Sequence, residues 1–510
     1  MLKRRIEEFV SRYLTQYTVS ADKTKFVHDP LWGTIEVWPH EQCLLDTPLL
    51  QRLRQIHQTG CVYATYPSAS HTRFEHTLGV VHLASRMARA LRDRPQSTVD
   101  DTTEIKVRLA ALLHDVGHSA FSHTTEEIYS YCPDLQSELT DGARFSGKGA
   151  GEVLSYLVIT SDTFRKFFSE LRKRFPKKLT FDVDEFAPLI LGRPADRMKH
   201  YEADIISGPF DADKLDYFPR DSRAAGVRLS IDIDRLLHCI EIVEVTKADA
   251  DAQGEKTWTL VVNRGGFNAL QQLLFARATL FSSVYHHHKV RACDCMIRAG
   301  FEVFAEKDLQ FCKRVDKLSM KTAGDFLFLT DTDYFAQRYH LSPESDAHKL
   351  IHGLLYRRLL RRILTLSTHT ILNANKREVK AGYLEFFNLR DNPPAMRRFA
   401  RDVLEKSGVK CSACEVWLDI PKQATLKKAG QALINVAPRN QPPKLLKLSQ
   451  FIPVQAWTET YEQYYTNSYL FGPEDENARQ KLAKSAVLLL KERYGLELNE
   501  YAYAEDVPPP

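Results

Sequence analysis

Residues 109–123, LAALLHDVGHSAFSH, constrain this chain more than any other stretch. Five apolar residues lead directly into His114 and Asp115, and His118 and His123 follow. Such an apolar run predicts a buried helix, whereas an unpaired charge is too costly to bury. Four ionisable groups within ten residues therefore do not fit a simple core helix. Taken singly, each histidine would read as a satisfied or exposed side chain. His114 and His118 stand four apart and share a face if the helix runs on, and Gly117 allows it to end or bend there. An imidazole beside a carboxylate is a hard-to-borderline metal site once two further ligands arrive from elsewhere.

Those ligands are sought by type. SHTRFEHTLGVVHLA places His76 at the start of a helical pattern, with Leu78, Val81 and Leu83 among its apolar positions. FDADKLDYFPRD carries Asp211, Asp213, Asp216 and Asp221 among aromatics. A set such as His76, His114, Asp115 and Asp213 would offer two imidazoles and two carboxylates. That suits Fe, Mn, Zn or Mg and leaves positions open for water or phosphate.

Composition excludes little. The chain has 510 residues, enough for a large domain and a smaller lobe. Its 44% hydrophobic and 26% charged residues are those of an ordinary globular protein. With 70 basic and 65 acidic residues, overall charge gives no support to a nucleic-acid partner. Nine cysteines form no framework, and Cys411-Ser-Ala-Cys414 lacks the second pair that a zinc site wants. This usage suits a reducing cytoplasm. The start, MLKRRIEEFVSRYLTQY, has no apolar signal core and reads as an amphipathic helix. No run of about 18 apolar residues is present, so no membrane span is expected.

Along the chain the pattern is mainly helical. A short hairpin is expected over 26–38, and a helix over 46–59 with Asp46 as N-cap and Pro48 in its first turn. Helices follow over 76–94, 104–116 and 148–174, with a loop over the cleft at 132–151 and a mixed linker at 176–200. A helix carries 211–218, two strands span 240–263, and helix returns over 264–300. Two helices are expected between 345 and 375. Beyond about 380 the texture is α+β, with a final helix over 476–494 and a disordered tail, DVPPP.

ASHTRFEHTLG, LLHDVGHSAFSH and DADKLDYFPRDS, in this order, resemble the HD superfamily of metal-dependent phosphohydrolases. In detail they are similar to its deoxynucleoside triphosphate triphosphohydrolases, over roughly residues 25–291. The resemblance implies an all-helical HD core with small β elements over 1–375, and an α+β lobe over 376–510. Too few residues precede Lys25 for the sterile-alpha-motif domain some members carry. It implies hydrolysis of deoxynucleoside triphosphates to deoxynucleoside and triphosphate. One divalent ion (Fe, Mn, Zn or Mg) would be held by His76, His114, Asp115 and Asp213, with additional Mg accompanying the nucleotide. Arg73, His118, His123 and Glu126 would serve phosphate contact and proton transfer. A planar guanidinium suits the first task, and Glu126 would orient one of the two histidines. Gln58 and Asp221 would hold the sugar hydroxyl, Lys214 and Tyr217 the triphosphate and sugar, and Tyr285 the ribose face. The basic run His286–His288, Lys289 and Arg291 reads equally as a triphosphate contact or a solvated helix face.

Lys25, Asp46, Gln51 and Arg54 match residues that grip an activating guanine nucleotide in the family. They imply a GTP or dNTP activator and a homo-oligomer, although the same segment also opens a helix in members without one. One position departs from the pattern. Gly151 stands where the family carries a histidine that takes part in proton transfer. The alternatives are an HD phosphodiesterase acting on nucleic acid or signalling nucleotides, and a catalytically weakened nucleotide sensor.

Overall fold

Three amphipathic helices converge, and each is capped by a side chain of the type that orphan helix N–H groups need. Thr72 and Glu75 form a capping box at the start of Arg73–Arg92, where the Thr72 N–H donates to Glu75 Oε2 at 2.7 Å. Asp100 accepts from the Thr103 N–H at 2.7 Å and starts Asp101–Leu113. Asp211 accepts from the Lys214 N–H at 2.9 Å and starts Ala212–Ala225. The helix Arg73–Arg92 packs against the other two. Its Leu83, Ala84, Met87 and Leu91 are fully buried, as are Val107, Leu109, Ala110 and Leu113 of its neighbour.

The computed structural model describes residues 1–15, 17, 20–94, 97–140, 144–249, 252–306, 320, 322–374, 376–422, 430–438, 441–464 and 466–509. The chain divides into two compact units: Met1–Arg277 with Ser319–Tyr334 and Leu426–Val454, and Ala278–Leu318 with Phe335–Thr425 and Gln455–Pro510. The first unit is the helical body, with a hairpin, Lys25–Asp29 against Gly33–Val37. It also holds a four-stranded sheet in the order Ile240–Asp249, Ala252–Asn263, Leu433–Asn435, Leu445–Lys447. The second unit has a three-stranded antiparallel sheet, with Ser468–Gly472 between Arg361–Leu366 and Trp417–Asp419. Its core gathers Ile363, Phe386, Phe399, Leu418, Leu470 and Leu490. The fold is mainly α with small sheets, as expected. Among the described residues no helix is long and apolar enough to cross a membrane.

The local readings hold for the hairpin, the strand pair and the final helix Glu476–Tyr494. The turn between the long strands includes 250–251, outside the described residues. Other readings are corrected. Asp46 ends the helix Pro39–Leu45, and Thr47 is the N-cap of Pro48–Gln51. Both have short polar side chains, and only backbone geometry separates them. The expected loop over 132–151 contains the helix Pro133–Thr140, and the expected linker over 176–200 contains Val183–Ile190. Polar composition in the first and flanking loop residues in the second had hidden them. The stretch 148–174 is two helices, because Ser161 caps a new start at Asp162. Among the described residues between 345 and 375 only one helix, Asp346–Leu355, is found; Arg361–Leu366 is a strand because it pairs with Ser468–Gly472. Val507 of the tail is fully buried, and Asp506 pairs with Arg479 at 2.5 Å. Pro510 lies outside the described residues.

Gly117 sets how closely the helix Ala150–Ile159 approaches the turn after His114. Its N–H donates to Ser155 Oγ at 2.9 Å, and a Cβ there would lie 2.2 Å from the Ser155 nitrogen. Backbone cannot yield as a flexible side chain does. Gly117→Ala should therefore cost about 3 kcal/mol or more in urea unfolding, at the upper end for overpacking. An unchanged unfolding midpoint would contradict this close approach.

Candidate metal centre

The three helices place ionisable residues at their ends. Arg73 and His76 lie in the first turn of Arg73–Arg92, His114 and Asp115 just beyond Asp101–Leu113, and Asp213 in the first turn of Ala212–Ala225. The helix ends at Leu113, so His114 and His118 do not share a helix face. The turn brings both to Asp115 instead, each Nε2 lying 3.4 Å from Asp115 Oδ1. Arg52 fastens that turn, its Nη2 donating to the carbonyls of Val116 and His118 at 2.6 and 2.7 Å.

One ligand atom from each of His76, His114 and Asp213 falls within 4.8 Å of the others. His76 Nε2 is 3.0 Å from Asp213 Oδ1 and 3.7 Å from Asp115 Oδ2. The Nε2 atoms of both His76 and His114 are buried and lack an aligned hydrogen bond. Their Nδ1 atoms are engaged, with Asp216 at 2.8 Å and with the Ala111 carbonyl at 2.6 Å. This fixes each ring with Nε2 toward the carboxylates, the arrangement that metal-ligating histidines use. Two orphan imidazole nitrogens facing two carboxylates fit a divalent cation.

The electrostatics follow from burial. Burial disfavours a charged His76, but the carboxylates of Asp213 and Asp216 outweigh it and push its pKa up to about 10. Burial also opposes ionisation of Asp115, yet Arg73 and the neighbouring histidines hold it well below the usual carboxylate range. Asp213 is likewise held low against burial, chiefly by His76. His118 goes the other way: burial and then Arg73 push it down to about 3, so it is neutral at physiological pH.

The other expected residues of the first unit make the following contacts. Arg73 is almost wholly buried; its Nη1 meets Asp115 at 2.5 Å, its Nε donates to Ser122 Oγ at 2.8 Å, and its Nη2 has no partner. His123 is exposed, with Nδ1 2.8 Å from Glu126 Oε2, and Glu126 Oε1 accepts from the Gly151 N–H at 2.9 Å. Glu126 thus engages His123 rather than His118. Gly151 has a steric role, since a Cβ there would lie 2.6 Å from the His118 ring. Gln58 and Asp221 meet through His71: the Gln58 N–H donates to its carbonyl at 3.1 Å, and its Nε2 is 2.8 Å from Asp221. Tyr217 accepts from Arg277 at 3.0 Å, and Lys214 turns back to Asp211 and the Gly208 carbonyl.

Tyr285 belongs to the second unit, its ring 5.0 Å from Phe281. There too Arg291 is buried against Asp419, at 2.8 and 2.9 Å, so it is not part of a solvated helix face. The eight cysteines among the described residues are free thiols. Lys25 pairs with Asp46 at 3.4 Å and Arg54 with Gln51 at 2.8 Å, while Gln51 also reaches the Leu45 carbonyl at 2.8 Å. The four thus form two pairs, with Lys25 and Arg54 exposed and Asp46 and Gln51 half-buried.

Sequence reasoning noted Asp216 without giving it a task. Its carboxylate holds His76, accepts from Arg220 and Trp32, and approaches Gly79 so closely that a Cβ there would lie 1.9 Å away. Its spacing of three from Asp213 was a usable signal, because i and i+3 share a helix face. Ser122, His57 and Asp331 carried no such signal.

The family model of the HD domain matches residues 73–203, and that of the HD associated region matches 231–494. Asp213 falls between the two. The deoxynucleoside triphosphate triphosphohydrolase SAMHD1 of Bos taurus is 29% identical over 346 residues, covering 65% of this chain and 56% of that protein. The Homo sapiens protein of the same name is 26% identical, covering 67% and 55%. An uncharacterized protein of Methanocaldococcus jannaschii is 33% identical over 287 residues, covering 56% and 51%. The chain thus spans little more than half the length of these relatives. A crystal structure of a hypothetical protein from Aquifex aeolicus shares the fold, with a TM-score of 0.59 and 23% identity over 90% of this chain and 100% of that one. With the HD model over residues 73–203 and the associated-region model over more than half its length, this chain belongs to the HD-domain family.

Proposed function

We propose that the protein is a metal-dependent phosphohydrolase that cleaves deoxynucleoside triphosphates to deoxynucleoside and intact triphosphate. The observation that carries this reading is the pair of buried Nε2 atoms of His76 and His114, without an aligned hydrogen bond and facing Asp115 and Asp213, beside an Arg73 guanidinium with one free nitrogen. The similarity to SAMHD1 proteins narrows the substrate class. His76, His114, Asp115 and Asp213 would hold a transition-metal ion, which supplies Lewis acidity toward phosphate and the attacking water. Arg73 gives a fixed positive charge for the phosphate chain, pinned by Asp115 and Ser122. His123, exposed and oriented by Glu126, would give the leaving 5′-oxygen its proton. His118, held neutral, offers the phosphate a hydrogen bond instead. Gln58, His71 and Asp221 would face the sugar, and Lys214 and Tyr217 would complete the substrate set. Lys25, Asp46, Gln51 and Arg54 would take GTP or a dNTP and couple activation to homo-oligomer formation.

Purified protein should carry about one transition-metal ion per chain, and Asp115→Ala and Asp213→Ala should lose it in elemental analysis. The raised His76 pKa sets a sign as well. A neutral imidazole is needed for ligation, so metal uptake near pH 7.5 should release a proton from His76, seen by calorimetry in buffers of different ionisation enthalpy. Full occupancy in both variants would remove the assignment.

Incubation with each dNTP should yield nucleoside and tripolyphosphate, resolved by chromatography. Stepwise orthophosphate release would place the enzyme in another class. His123→Ala should lower kcat roughly 100-fold or more while KM changes little, the usual loss for a general acid.

Activity on one dNTP should rise when GTP is added, with a parallel rise in mass by light scattering. Asp46→Ala should abolish the rise and leave metal content unchanged. A monomer with GTP-independent kinetics would leave the 46–54 segment as a helix start only.

A further inference from the structure

The turn between His118 and His123 is strained. Phe121 and Ser122 both have positive φ, 56° and 52°, although neither is glycine. Such conformations are disfavoured for residues with a Cβ and persist only when their surroundings impose them. Here the surroundings come from a segment far along the chain. Ser119 Oγ donates to the Phe326 carbonyl at 2.6 Å, and the Ala120 N–H to the Leu329 carbonyl at 3.1 Å. The Phe121 N–H donates to Asp331 Oδ1 at 2.7 Å, and the buried Phe121 ring stands edge-on to Tyr334 at 5.0 Å.

Asp331 does more than close this turn. Its Oδ2 accepts the His57 N–H at 3.0 Å and lies 2.6 Å from His57 Nδ1. The His57 carbonyl in turn accepts from Ser122 Oγ at 2.6 Å, and that Oγ accepts from Arg73 Nε at 2.8 Å. A continuous chain of hydrogen bonds therefore runs from Asp331 through His57 and Ser122 to Arg73 and Asp115. All three donors on Asp331 are N–H groups, so the position calls for a side chain that only accepts. Asp331 lies within the match to the HD associated region, whereas Arg73, Asp115 and Ser122 lie within the match to the HD domain.

We propose that Asp331 is a positioning residue, by which the HD-associated region holds the strained Phe121–Ser122 turn and so aims Arg73 at the phosphates of the substrate. This rests on the functional reading above for the nature of the ligand, though not for the existence of the clamp.

The test uses the full chain as wild type, Asp331→Asn, Ser122→Ala and the double variant, with inorganic tripolyphosphate as the probe. Asn keeps the shape but sets an NH2 against a donor. Asp331→Asn and Ser122→Ala should each weaken tripolyphosphate binding about tenfold by calorimetry, the loss of one charge-assisted hydrogen bond's worth. The double variant should be no worse than Asp331→Asn alone, because both act through one chain of contacts. Amide exchange in Asp331→Asn should quicken at 119–123, with metal content unchanged. If Asp331→Asn is not recovered folded, Asp331→Glu, which displaces the carboxylate by a methylene, carries the same expectations. Unchanged affinity and unchanged exchange in a folded variant, or strictly additive losses, would overturn the proposal. Should wild type bind no tripolyphosphate and turn over no dNTP, the functional reading fails, and exchange at 119–123 alone decides the clamp.

Discussion

The structure depends on the ion pair of Arg73 and Asp115, 2.5 Å apart and both almost wholly buried. Neither charge would be tolerable alone in that interior; removing one partner of such a pair typically costs about 3–5 kcal/mol. The pair fixes the first turn of Arg73–Arg92 against the turn beyond Leu113, and thus sets His76 against His114, their rings 5.4 Å apart. Each further polar group then extends the compensation. Ser122 takes the Arg73 Nε, and His114 and His118 flank the Asp115 carboxylate.

A second buried network stands behind His76. Asp216 is shared by His76, Trp32 and Arg220, and Arg220 continues to Asp29 at 2.9 Å. The hairpin, whose first strand ends at Asp29, is thereby tied to the helix that carries Asp213. This gives His76 one nitrogen held by protein and one free of hydrogen bonds, the division of labour a ligand histidine requires. It also explains why two carboxylates three residues apart behave differently. Asp213 stands at the centre, partly open, whereas Asp216 is sealed and spent on orientation.

Proton chemistry divides similarly. His118 and His123 are close in sequence and their rings are 5.5 Å apart, yet burial makes them unlike. His118 is enclosed beside Arg73 and kept neutral. His123 is open to solvent and backed by Glu126. Gly151 matters here through volume: the space that a side chain would take is filled by the His118 ring. A side chain at this position could not be accommodated without moving His118.

The sequence by itself determined the helical class, the hairpin, the terminal helix and the principal candidates His76, His114, Asp115 and Asp213. These are local facts, because apolar periodicity, cap residues and adjacent ionisable groups are written in consecutive positions. It misjudged what depends on distant partners. Arg361–Leu366 is a strand only because Ser468–Gly472 lies beside it, and the tail is ordered where Val507 finds a core. Tertiary structure alone decided that Glu126 serves His123, that Asp216 holds His76, and that Asp331, 210 positions from Phe121, closes the turn between the histidines. Hydrogen bonds act over about 3 Å of space without regard to separation along the chain, so which donors a carboxylate serves is settled only when the chain has packed.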